Sequence, residues 1–435
     1  MPPSTRLDGA IAMTSHDTAW LDRVRQDAKA SFAALGWPTR KLEDWRYTDL
    51  GPLAESVFEP AGELGASAGL AALLADQDPA CDLAVFVNGR FSPEYSRIGA
   101  LPSGVFVGSF AAWSATHGEA AAALLQPTAE RARALTDLNI GVFSDGLALI
   151  LPSDIRLERP LRCLHWSEAA NPVAVHSHSH IALGAGAEAT LYEIWAGTGG
   201  YWSNAVASVS LGQGSRLVHT TLQNEARSAY HTGSTAVTLA QDARFDGFQL
   251  GLGAALSRRE YRATIAGPGA DFSLSGSTLL TGRQDGATVT IVDHTAAGYT
   301  PVDKRGTTSN QVFKVALADR AHGVFQGRII VREGAQKTDA GMLNKTALLS
   351  DRAVIDTKPE LEIYADDVKC SHGASVGDLD ETGLFYLRSR GIDPETARRM
   401  LIDAFVTEPV ERVADPVIAA ELRAAIAARL AEIKG

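Results

Sequence analysis

HIALGAGAEATLYEI (180–194), VSLGQGSRLVHTTL (209–222), VTLAQDARFDGFQL (237–250) and ATIAGPGADFSLSG (263–276) are four versions of one phrase. Each reads as strand, tight turn, small residue, strand. The key apolar positions, Leu183, Leu211, Leu239 and Ile265, are spaced 28, 28 and 26 residues apart. Continuing the step places copies at Ile291 in TVTIVDH and Leu317 in VALADRAHGVF, 26 residues apart each. A later copy falls at Leu349 in ALLSDRAVIDTKPEL after a gap of 32. A fixed period of this size means stacked units, none of which can bury its own apolar face. With strand-type residues throughout, a mainly β solenoid, a parallel β-helix, is the simplest result. A propeller is the rival, but these units lack blade signatures and are short for four strands each.

Outward from the repeat the texture changes. Toward the N-terminus, Trp20, Leu21, Val24, Ala28 and Phe32 recur at helical spacing until Gly36 and Pro38 stop them. Ala-rich stretches at 70–75 and 120–125 predict short helices. Between them CDLAVFVNGRFSPEYS reads as strand, turn, strand, so this region is mixed α/β. Toward the C-terminus, Asp393-Pro394 and Asp415-Pro416 are N-cap and N1 signals. Ala397, Met400, Leu401, Ala404 and Phe405 make one apolar stripe. Val417, Ile418, Leu422, Ala425, Ile426 and Leu430 make another. Two such helices would cap the solenoid or dock a partner.

The 435 residues carry 40 Lys plus Arg against 51 Asp plus Glu, a net charge of -11. That balance argues against a general nucleic-acid binder. No apolar run reaches membrane-spanning length and the N-terminus shows no secretory h-region, so a cytoplasmic protein is expected. Cys81, Cys163 and Cys370 lie far apart without CxxC spacing, which fits neither a disulfide framework nor a four-cysteine cluster held by this chain alone. Cys81 and Cys163 have no assignable role.

The stretch richest in chemistry is KPELEIYADDVKCSHGASVGDLDETGLFYLRSR, from Lys358 to Arg390. Cys370 stands two residues before His372, so an extended backbone points both the same way. Asp366, Asp367 and Lys369 add charge beside them, and Gly373 permits close approach. A thiolate–imidazole pair suits iron, zinc or copper, but two ligands do not close a site. The bland alternative is a core thiol beside a satisfied histidine. His176, His178 and His180 in HSHSH would also share one strand face, as a metal site or as ordinary strand residues. GAGAEA at 184–189 imitates a dinucleotide fingerprint but is followed by a strand, and no GxxxxGK[ST] occurs, so ATP hydrolysis is not expected. Asp242, Asp246, Asp271 and Asp293 are the acids a β-helix polysaccharide enzyme would need, yet they read as scattered, solvent-facing turn formers. Trp37, Trp45 and Tyr47 read as packing, with Arg46 and Asp49 as polar neighbours.

Three ordered blocks resemble one family: GWPTRKLEDWRYTDL (36–50), GRIIVREGAQKTDAGMLNKTALLS (327–350) and the Lys358–Arg390 stretch. Together they span most of a SufB/SufD-type protein of the SUF iron–sulfur cluster assembly system. The wording CSHGA and FYLRSRG is similar to the SufD branch rather than to SufB. The resemblance implies an N-terminal α/β region over 1–160, a right-handed parallel β-helix over 161–378 and a C-terminal helical region over 379–435. It implies a scaffold rather than an enzyme, paired with SufB through the β-helix and bound to the ATPase SufC through the C-terminal helices. Under the resemblance, His372, with Cys370 beside it, takes part in cluster assembly at the SufB interface, the partner supplying the missing ligands. Assembly there would weaken at low pH, since both donors must be deprotonated. The cluster is transient, and a flavin is linked to the family's complexes with no locatable site here.

Overall fold

In the computed structural model, which describes residues 19–62, 64–65, 67–128, 130–296 and 305–433, the chain opens with α1 (Ala19–Leu35) and α2 (Gly51–Glu55). Then come β1 (Glu59–Pro60), α3 (Ala68–Ala75), β2 (Asp82–Val87), β3 (Arg90–Phe91) and β4 (Phe106–Ser109). Helices α4 (Phe110–Thr116), α5 (Gly118–Leu124) and α6 (Ala134–Val142) lead into β5 (Leu147–Leu151). The Asn88-Gly89 turn between β2 and β3 has positive φ at both residues, 49° and 76°, as a two-residue hairpin requires.

From there successive strands alternate between two parallel sheets. They run β6 (Leu161–Glu168), β7 (Val173–Leu183), β8 (Glu188–Thr198), β9 (Tyr201–Leu211) and β10 (Arg216–Gln223). Next are β11 (Tyr230–Leu239), β12 (Arg244–Gly251), β13 (Leu256–Ile265), β14 (Asp271–Leu280) and β15 (Asp285–His294). The last five are β16 (Thr308–Leu317), β17 (His322–Val331), β18 (Asp339–Leu348), β19 (Val354–Ile363) and β20 (Lys369–Gly377). From β6 to β20 odd strands pair only with odd and even only with even, so each turn lays one strand in each sheet. This is the parallel β-helix the repeat predicts. Strands β2 and β5 already belong to the two sheets, which therefore begin before residue 160.

Leu183, Leu211, Leu239 and Ile265 stand in register on neighbouring odd strands. They join Leu191, Leu217, Phe245 and Phe272 of the even strands in one continuous core. Continuing the 26-residue step fails past this point. Ile265 pairs with His294, not Ile291. The offset between neighbouring strands grows from 26 for β11–β13 to 27 for β12–β14 and 29 for β13–β15, because the corners lengthen. Leu317 lies in the opposite sheet, in register with Leu280 and Leu348, and Leu349 falls just past β18. The true ladder runs through His294 to Val331 and Ile363. His294 fills a core position by bonding Thr307 Oγ1 at 2.7 Å and Ser309 Oγ at 2.9 Å. Burial lowers its pKa to about 4, which keeps it neutral.

The GAGAEA segment is the β7–β8 corner. Gly186 has φ of 66°, and a Cβ on Gly184 would lie 2.5 Å from the Ser153 nitrogen. Its glycines serve tight stacking rather than phosphate binding.

Helices α7 (Glu381–Ser389), α8 (Pro394–Thr407) and α9 (Pro416–Leu430) follow. Asp393 and Asp415 cap α8 and α9 as expected. The helices sheath the outer face of the even-stranded sheet, on its flank rather than across its end. Ile402, Val406, Leu422 and Ile426 pack there against Leu164, Tyr192, Phe248 and Leu279. The buried stripe of α8 is Ala397, Ile402 and Val406, whereas Met400 is exposed; on α9 Val417 is exposed. Both were expected inside. The docking side is set by the solenoid's flank, which catches a face rotated from the one that spacing suggests.

Candidate functional site

The two ends of the solenoid differ. At the start, antiparallel β4 and β3 close the sheet edges. At the finish, β19 pairs only with β17 and β20 only with β18 among the described residues. Their outer edges carry free backbone donors and acceptors, a template for another chain. Burial falls accordingly: every residue of β20 is exposed or half-buried.

Cys370 and His372 lie on β20, in register with Ala340 and Met342 of β18. Those two are core residues, so Cys370 and His372 share the inward face at the open end. Cys370 is half-buried against the core, while His372 is exposed. Burial, with the nearby Asp339 charge, pushes the Cys370 thiol up. Among the described residues neither belongs to a group of three metal-capable donors. Asp367 is tied to Lys337. The pair is thus two inward-facing donors on an edge strand.

The three sequence blocks meet here. Glu43 of the first block receives Lys358 of the third at 2.5 Å. Asp44 receives Arg328 of the second at 3.3 Å, and Arg328 also reaches Glu360 at 3.2 Å. Trp45 is buried, donates from Nε1 to the Ala132 carbonyl at 2.7 Å, and lies 3.9 Å beneath the Arg258 guanidinium. Trp37 packs on Trp202 and Phe32. Arg46 sits 6.0 Å over the Tyr47 ring, and Asp49 accepts from the Gly51 nitrogen. The aromatic cluster is packing that pins the N-terminal segment to the later rungs.

The remaining expectations resolve as follows. His176, His178 and His180 do share a face, but the N-terminal layer covers it. His178 Nδ1 meets Asn139 Oδ1 at 2.9 Å between Phe110 and Phe143; His180 Nδ1 meets Ser208 Oγ at 2.9 Å beside Trp113. His176 lies edge-on to Trp202. Burial depresses their pKa values to about 4, 3 and 4 in chain order. They are neutral core side chains. Asp246, Asp271 and Asp293 lie on strands rather than turns, against expectation; Asp242 alone occupies a turn, with φ of 57°. Asp246 pairs with Arg216, Asp293 with Arg332 and Asp242 with Arg305. They form no carboxylate pair. Cys81 is buried, its Sγ 3.6 Å from Asp78 Oδ2.

Sequence reasoning passed over a second Cys-x-His, Cys163 and His165 on β6, whose signal is the same spacing as Cys370 and His372. Cys163 Sγ lies 3.2 Å from His165 Nε2, which lies 3.3 Å from Glu193 Oε1. His219 Nε2 meets Glu193 Oε2 at 2.7 Å. All four are buried. Burial alone would raise the Glu193 pKa, but hydrogen bonds from His165 and His219 hold it well below the usual carboxylate range. Burial and the Glu193 charge push the Cys163 thiol well up.

A family model described as "SUF system FeS cluster assembly, SufBD core domain" matches residues 165–405, and one for the SufBD protein N-terminal region matches 8–163. An iron–sulfur cluster assembly SufBD family protein of Synechocystis is 30% identical over 416 residues, covering 93% of this chain and 90% of that protein. The iron–sulfur cluster assembly protein SufD of Escherichia coli is 30% identical, covering 91% of this chain and 90% of its own length. A chloroplastic Arabidopsis protein, ABCI7, is 28% identical over 93% of this chain and 85% of itself. The chain belongs to the SufBD family of SUF iron–sulfur cluster assembly proteins.

Proposed function

We propose that this chain is a scaffold subunit of the SUF assembly complex that pairs with SufB through the open end of its β-helix. His372 and Cys370 then contribute to a shared site where the cluster is built as cargo. The observation that carries this reading is the pair itself: two inward donors on a strand that, among the described residues, has one free edge and no third ligand nearby. A partner strand laid along β20 would satisfy the edge and bring further donors over His372. Exposed Val354, Tyr364 and Val376 on or beside the last rung supply apolar contact for it. The helical flank serves as the SufC dock, where α7 presents Phe385 and Tyr386 at 74% and 55% exposure. ATP hydrolysis belongs to SufC in this reading. Among the described residues no helix is long and apolar enough to cross a membrane; a cytoplasmic assembly is part of this proposed reading. A polysaccharide-cleaving enzyme finds no support, because three of the four scattered acids are held by arginines and Asp271 accepts from Ser273.

The test is anaerobic co-purification with SufB and SufC, comparing wild type with His372→Ala. His372 is exposed, so the variant should fold and assemble normally yet carry far less iron and sulfide. Normal loading by the variant complex would reduce this chain to a structural arm. Failure of the wild-type chain to form any complex would overturn the pairing.

A further inference from the structure

We infer that Cys163, His165 and Glu193 form a buried binding site for one divalent transition ion of the zinc class, with His219 orienting the carboxylate. The geometry fits. A tetrahedral zinc site with ordinary bond lengths spaces its N, O and S donors about 3.4–3.6 Å apart. Here Sγ to Nε2 is 3.2 Å and Nε2 to Oε1 is 3.3 Å, so a slight opening admits the ion. Among the described residues this is the one group of three such donors within 4.8 Å of one another.

The fold holds the donors rather than leaving them to rotamer chance. Cys163 and Glu193 are in-register neighbours on β6 and β8, and His165 follows Cys163 at i+2 on the same inward face. The His165 ring is clamped between Trp195, stacked at 3.7 Å, and Phe86 at 5.2 Å. His219 on β10 fixes Glu193 Oε2 at 2.7 Å, the kind of outer partner that orients a metal-bound carboxylate. Its Nδ1, buried, has no hydrogen-bond partner. Beside Glu193, Trp195, His231 and Arg259 lies a cavity of about 20 Å³. That is room for about one water on the Glu193 side of the site.

Charge favours the same conclusion. Without an ion, the buried Glu193 carboxylate is met only by the imidazoles of His165 and His219, at 3.3 and 2.7 Å. With one, thiolate and carboxylate together neutralise the two positive charges, and a neutral buried site costs far less than a charged one. Binding releases the thiol proton to solvent, and His165 ligates through Nε2 with its proton on Nδ1. The site is sealed, so the ion enters as the chain folds and resists removal afterwards. It is independent of the SufB-interface reading.

The experiment uses the full chain expressed in zinc- or cobalt-supplemented cells and washed with chelator. Wild type should retain close to one ion per chain. The cobalt form should show a thiolate-to-metal charge-transfer band and the strong visible bands of a tetrahedral site. Cys163→Ser should abolish the charge-transfer band, Glu193→Gln should lower retained metal at least tenfold, and Cys370→Ser should leave both intact. X-ray absorption on the wild-type zinc form supplies a readout needing no variant: one sulfur and three lighter donors around the ion. A wild-type chain that leaves the wash metal-free, or a first shell without sulfur, would overturn the proposal. So would loss of the ion on Cys370→Ser, which would place it at the other end.

Discussion

The first and last rungs of the solenoid carry the same sequence device and put it to opposite use. Cys163-x-His165 and Cys370-x-His372 both lie on strands of the even sheet and both face inward. The first is enclosed: β6 sits between β2 and β8, with Phe86 beside His165 and Glu193 beside Cys163. The last is bare: β20 has a neighbour on one side only. The spacing aims two donors at one point, but neighbouring rungs decide whether that point is a sealed core or an open edge. In a stacked fold each rung's inward face is covered by the next, and the final rung has no such cover among the described residues.

The sharpest way to break this comparison is to truncate one side chain at each end. Leu191 is completely buried in the rung beside Cys163, so Leu191→Ala should cost about 2–5 kcal/mol through lost burial and a residual cavity. Val376, on the last rung, is 47% exposed, and Val376→Ala should change stability by less than about 0.5 kcal/mol. Urea unfolding of the isolated chain reads both. Equal losses would show that the last rung is as buried in solution as the first, contradicting an open end.

A second effect concerns what closes the first rung from outside. Arg162, on β6 with its side chain outward, is buried and makes a bidentate pair with Glu421 of α9, at 2.6 and 3.0 Å. It also donates to Gln77 Oε1 and lies 5.5 Å over Tyr192. Arg162→Met keeps the stem but strands Glu421 beneath the helix. Glu421 is a third exposed and can rehydrate, so the loss should be about 2 kcal/mol rather than the larger figure for a fully buried charge. Hydrogen exchange should show α9 loosening first. Unchanged protection of α9 would mean that apolar contacts alone hold the flank.

The sequence carried the solenoid because a β-helix writes its stacking as a period, and Leu183, Leu211, Leu239 and Ile265 do fall into register. Extrapolation broke at Ile291 because corners can lengthen without disturbing strand pairing, and no local signal tells a ladder residue from its neighbour. That His294 takes the next core place could not be read from residue type, since its partners Thr307 and Ser309 lie 13 and 15 residues further along the chain. Cys370 and His372 were legible through their motif. Cys163 and His165 were equally adjacent in sequence, but Glu193 and His219, which give them meaning, arrive one and two rungs later. The HSHSH run could not be decided for the opposite reason: its alternation is real, but whether helices or solvent cover that face is settled by α6 and α4, far off in sequence.

The smallest effect sharpens the comparison at the open end. His322 on β17 bridges Asp285 of β15 at 3.0 Å and Asp356 of β19 at 2.9 Å, tying the last odd strand to two before it. The hydrogen bond that His322 donates to Asp285, and then the remaining acidic contacts, outweigh partial burial and raise its pKa from 6.5 to about 8. Because the folded value is raised, the stabilisation is fully present below the unfolded pKa and fades as pH rises through the folded one. The upshift corresponds to about 2 kcal/mol at most, and partial exposure reduces it toward about 1. Amide exchange in β19, corrected for the intrinsic rate, should therefore quicken between about pH 6.5 and 8.5 while β7 and β9 stay protected. His322→Gln should remove that pH dependence and leave β19 loose throughout. A β19 that is equally protected on both sides of this window would mean that backbone pairing with β17 suffices, and that the last rung needs no charge clamp to stay in place.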